Sequence, residues 1–102
     1  MMDTAIGKER LIDLVERLKT ELQALPRNEP IERALYHCDR LQLAIRSSHS
    51  EGIRFAAFTL NRLLRDHRAD LTPDAAGHLD VLRAELKAAG VDVESKQEKV
   101  EK

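Results

Sequence analysis

Disulfides, long loops and membrane spans are all poorly provided for in this chain. It has one cysteine, no tryptophan, one tyrosine and two phenylalanines among 102 residues. A lone thiol, Cys38, excludes an internal disulfide, so the fold must be held by packing, as suits a reducing compartment. Four glycines and three prolines are too few for a loop-rich fold and lie mostly at the edges of periodic segments. The apolar stretch near the N-terminus is short and carries Asp3 and Glu9, which fits neither a signal peptide nor a membrane span. A cytoplasmic protein with no membrane association is expected.

Charge of one sign is also missing. The formal net charge of −1 excludes a strongly basic nucleic-acid binder and a wholly acidic chain, so an electrostatic partner must meet a local patch. The charges are nevertheless unevenly spread. Residues 27–68 carry eight arginines against five acids, whereas residues 69–102 carry eight acids against five bases.

What is present is helical periodicity. Ala, Leu, Arg and Glu dominate and strand formers are few. Leu11, Val15, Leu18, Leu22 and Leu25 alternate at spacings of four and three, with Leu14 beside them. Asp3 or Thr4 is placed to cap this first helix, and Pro26 to stop it after Leu25. Pro30 suits a first helical position, followed by a stripe of Ile31, Ala34, Cys38, Leu41 and Ile45. The run from Ser47 to Ser50 breaks that second helix near Arg46, and Ser48 with Glu51 has capping-box spacing for a third. The third helix has an inner stripe of Ile53, Ala56, Leu60, Leu63, Leu64 and His67.

Thr72 before Pro73 starts a fourth helix, striped by Ala75, Leu79, Leu82, Leu86 and Ala89. Gly90 ends it, with Val91 placed to touch Leu86. The expected fold is all-α, an up-down antiparallel bundle of about four helices. It forms a single domain over residues 1–93, with a flexible charged tail at 94–102, because short connections make neighbours antiparallel. The tail is too polar to offset the entropy of ordering it.

The informative residues are those that break the stripes. At about 100° per residue, Phe55 and Phe58 lie opposite Leu60, and Tyr36 and Leu43 opposite Leu41. Leu43 precedes the central turn by about as much as Phe55 follows it, so an antiparallel hairpin makes them neighbours. One reading is a homodimer or partner interface formed by Leu43, Phe55 and Phe58, flanked by Tyr36. The other is a central third helix packed on both sides. The outer face of that helix also carries Arg54, Arg62 and Arg65. Arginine beside aromatics suits nucleic acid or an acidic protein, while solvated or ion-paired arginines are the plainer alternative.

Catalytic and metal constellations are not found. His37, His49, His67 and His78 form no Cys-x-x-Cys, His-x-x-x-His or Glu-x-x-His pairing, although His67 and His78 flank the third turn. Cys38 lies on an inner stripe, where a core thiol is expected rather than a nucleophile. Neither a glycine-rich phosphate loop nor an inward carboxylate pair occurs. The expectation is a non-enzymatic protein–protein interaction module without cofactor or metal, self-associating through the apolar patch. A regulator that binds nucleic acid or an acidic protein through the arginine face is the alternative.

Overall fold

A computed structural model describes residues 2–91 of the chain, and their side chains from residue 7 onward. Its helices are α1 (Met2–Gln23), α2 (Glu29–Arg46), α3 (Ser50–Asp66) and α4 (Pro73–Ala88), with a short 3-10 turn at Arg68–Asp70 before α4. The fold is an all-α, up-down four-helix bundle. The expected tail at 94–102 lies outside the described residues.

The helix ends follow from local chemistry, not always at the residues the sequence pattern favours. Helix α1 begins at Met2, so Asp3 and Thr4 fall inside it rather than capping it. It ends at Gln23, two residues earlier than expected. The Ala24 and Leu25 amides there bond back to the Glu21 and Leu22 carbonyls at 3.2 and 3.1 Å, tightening the last turn ahead of Pro26. Asn28, not Pro30, sets the start of α2: its Oδ1 accepts from the Ile31 amide at 2.9 Å, and Pro30 occupies the second helical position. Thr72 caps α4 as expected, its hydroxyl accepting from the Ala75 amide at 3.0 Å.

Helices α2 and α4 end in the same way. The Val91 amide bonds to the Leu86 carbonyl at 2.8 Å and the Gly90 amide to Lys87 at 3.0 Å, with Gly90 at φ +96°. This is the Schellman pattern. At α2 the His49 amide bonds to Ala44 and the Ser48 amide to Ile45, each at 3.0 Å, so Ser48 takes the left-handed position at φ +55°. A residue in that conformation cannot begin α3, and the capping role expected of Ser48 passes to His49. Its imidazole Nδ1 accepts from the Gly52 amide at 2.9 Å.

The four stripes meet in one contiguous core. Val15, Leu18, Leu22, Ile31, Cys38, Leu41, Ile45, Leu60, Leu64, Leu79, Leu82 and Leu86 are buried almost completely. Each fully buried aliphatic side chain contributes about 1.5–3 kcal/mol relative to exposure. Two expected stripe members lie elsewhere. Ala89 is exposed because it is already the C-cap of α4, and His67, at the C-cap of α3, is only half-buried.

Close neighbours are α1 with α2, α2 with α3, and α1 with α4. Helices α3 and α4 approach each other less closely, so α1 and α2 form the central pair and α3 is not packed equally on both sides. Polar contacts fix the antiparallel register of that pair. Gln42, almost fully buried, donates to the Ile12 carbonyl at 3.2 Å and to Glu16 Oε1 at 3.0 Å. One turn away, Lys19 Nζ lies 2.7 Å from Asp39 Oδ1. That carboxylate, first through the hydrogen bond and also through its charge, holds Lys19 above the usual ammonium range. Helix α4 is tied to α1 by Arg10 and Glu85 at 3.2 Å.

Candidate functional site

Helix α2 presents two stripes. Ile31, Ala34, Cys38, Leu41 and Ile45 face the core. Tyr36, Arg40, Leu43 and Ser47 repeat at spacings of four, three and four, which is the periodicity of a second helical face. Helix α3 runs beside this second face and contributes Gly52, Phe55 and Ala56 to it. Together they enclose a groove of about 320 Å³ between α2 and α3, closed at the turn by His49.

Its apolar side chains are unusually bare. Phe55 is 65% exposed, Leu43 59% and Tyr36 58%, and all three line the same groove. The central turn brings Leu43 and Phe55 together, as the sequence leads one to expect. Phe58 is different: it is half-buried, packs against the core and does not line the groove. The apolar set read from the sequence therefore divides, with three members on the groove and one serving the core. The three arginines of α3, Arg54, Arg62 and Arg65, are exposed and also lie outside the groove lining. Within the described residues Arg54 and Arg62 form no ion pair.

The polar groups of the groove were not assigned to it from the sequence. The Arg40 guanidinium lies over the Tyr36 ring, 5.9 Å from its centroid. The His37 ring meets the same tyrosine edge-on, with centroids 5.3 Å apart and planes at 71°. Both contacts are made by residues of α2 itself, one over the face of the ring and one at an edge. His37 has its pKa lowered, first by desolvation and then by the charges of Arg33 and Arg40. The signal that would have found Arg40 is the second stripe itself, since position 40 lies between 36 and 43 on one face.

Gly52 makes the groove narrow at its turn end. A Cβ placed there would lie 3.3 Å from the Ala44 Cβ and 2.9 Å from His49 Nδ1. Glycine is thus required by the approach of α3 to α2 and by the imidazole cap.

The remaining candidates stay apart. Cys38 is wholly buried, and desolvation pushes its thiol up to about 12, which suppresses the thiolate needed for nucleophilic chemistry. His67 Nδ1 sits 3.9 Å from Asp70 Oδ2 within its own turn. Among the described residues no group of three or more His, Cys, Asp or Glu side chains is arranged to hold a metal ion. No described helix is long and apolar enough to cross a membrane. Comparisons of the chain with protein-family models, curated proteins and solved structures give no match.

Proposed function

We propose that this chain is a non-enzymatic protein–protein interaction module that docks a partner in the groove between α2 and α3. One observation carries the reading: Tyr36, Leu43 and Phe55, three of the largest apolar side chains outside the core, stand more than half exposed around a single concavity. From areas of 150–250 Å² per buried aromatic, the three expose roughly 300 Å² together, within the range of functional apolar patches on monomers. Burying that area would return several kcal/mol at about 25 cal/mol per Å². The occupant is either a second copy of this chain, as the sequence pattern first suggests, or a different protein.

A photo-crosslinking amino acid placed at position 43 tests the docking face, with the same residue at position 81 of α4 as control. Val81 is also exposed, but it lies outside the groove. Adducts from position 43 and none from 81 are expected, whether the captured chain is a copy or another protein. Equal labelling from both positions, or none from either in the cells that produce the protein, would overturn the reading.

A further inference from the structure

Resting on that docking reading, we infer that the groove takes a short amphipathic helix of another protein, bearing at least one carboxylate beside two or three large apolar residues, rather than a second copy of this chain. Charge complementarity and area both lead there.

Arg40 stands in the groove lining over the Tyr36 ring and, among the described residues, forms no ion pair. Around it lie two imidazoles, His37 and His49, and among the described lining residues there is no carboxylate. Two-fold pairing of identical subunits places the same patch on both sides of the interface. Such a pairing here would bring a second Arg40 into the same apolar space and offer neither guanidinium a counter-charge from the lining. Removing an uncompensated ion from water is strongly unfavourable, whereas a guanidinium meeting a carboxylate makes a charge-assisted, often bidentate bond. The described lining therefore offers Arg40 no counter-charge of its own, and a carboxylate on the docked segment would supply one.

The exposed apolar area of roughly 300 Å² is below the roughly 450 Å² of apolar surface within the ~800 Å² that each partner contributes to an interface of ordinary size. It suits one inserted helix better than a whole subunit face. Tyr36 and Leu43 are seven residues apart, about 10 Å along α2 at 1.5 Å per residue, which matches two turns of a docked helix. Helix-in-groove recognition reads anchors at spacings of i, i+4 and i+7. Arg40, midway between the two apolar posts, meets a carboxylate in the middle of that segment.

The test is selection from a phage-displayed library of helical 16-residue peptides on the full chain. Binding of the selected peptides is then measured by fluorescence anisotropy, with mass in solution followed by light scattering. Selected peptides are expected to combine apolar residues at helical spacing with a central Asp or Glu. Affinity should fall at least tenfold for Phe55→Asp and about tenfold for Arg40→Gln, and stay unchanged for Val81→Asp, with circular dichroism confirming that each variant is folded. Peptides without acids, or indifferent to Arg40→Gln, would overturn the inference and leave the docking reading intact. A dimer that Phe55→Asp dissociates would do the same, by naming a second copy as occupant. If no peptide binds and the chain stays monomeric, both fall. Tight, salt-sensitive binding of duplex DNA or single-stranded RNA, lost on Arg54→Gln and Arg62→Gln, would transfer function to the arginine face of α3.

Discussion

Three glycines lie within helices, and their neighbours give the same substitution opposite signs. Gly77 in α4 has nothing within 4 Å of an added Cβ, and the same holds for Gly7 in α1. Alanine is favoured over glycine inside a helix by about 0.8–1.0 kcal/mol. Gly77→Ala should therefore raise stability by about 1 kcal/mol, or about 4–8 °C in Tm for a chain of this size. Gly7→Ala, also well inside its helix, should gain about as much.

At Gly52 the methyl would stand 2.9 Å from His49 Nδ1, the atom that accepts the Gly52 amide. That nitrogen is attached close to the ring's root and cannot swing aside without breaking the cap, whose loss costs about 0.5–2 kcal/mol. The Ala44 contact at 3.3 Å asks α3 to back away from α2 as well. We expect Gly52→Ala to destabilise by about 1 kcal/mol, a difference of about 2 kcal/mol from Gly77→Ala. Urea titrations followed at 222 nm measure both. The His49→Ala background separates the causes: there Gly52→Ala should be nearly neutral, giving a coupling of about 1 kcal/mol in the double-mutant cycle. A Gly52→Ala variant stabilised as much as Gly77→Ala, or an additive cycle, would refute the clash with the imidazole cap.

Ser48, left-handed at φ +55°, should gain from glycine, while Gly90 at φ +96° should lose from serine. The left-handed penalty is about 1–2 kcal/mol and is partly offset by the greater freedom of unfolded glycine, so thermal melts should show opposite shifts of about 0.5–1 kcal/mol. Ser48→Gly also removes the exposed 2.9 Å bond from Lys8, which brings its gain to the lower end.

Cys38, buried with its thiol raised to about 12, should react with a disulfide reagent only on unfolding. Its labelling rate under native conditions should rise with urea in step with the unfolded population; prompt labelling of the native chain would contradict its burial. His37 has a folded pKa below its unfolded value of about 6.5, so the unfolded state binds more protons between the two. Stability should therefore decline as pH falls below about 6.5 toward the folded pKa. His37→Gln should flatten that part of the pH profile, and an unchanged slope would refute the assignment.

The fold was largely legible because a helical stripe is a local property. Three- and four-residue spacing placed the four core faces, and Pro73 after Thr72 and Gly90 before Val91 marked boundaries through backbone chemistry confined to a few residues. The misplaced starts have equally local causes once geometry is known. Ser48 fits a capping box by spacing, but it is already used to end α2 in a left-handed conformation, so the imidazole beside it caps α3. Competition between one helix's end and the next helix's start cannot be read from either pattern alone.

The candidate groove was only half legible. The angle of about 100° per residue shows that Tyr36, Leu43, Phe55 and Phe58 point away from their stripes, and nothing in it says what stands opposite. Tertiary packing decided that. Helix α3 leans on α2, so Phe55 is left beside the groove while Phe58 reaches the core. Arg40 over the Tyr36 ring is an i, i+4 pair within α2, open to a spacing rule, whereas the facing wall of Gly52 and Phe55 comes only from the packing of α3. The sequence determined which side chains each helix must bury, since periodicity fixes direction around an axis. The relative placement of the axes determined which of the remaining apolar groups found cover, because burial depends on neighbours distant along the chain.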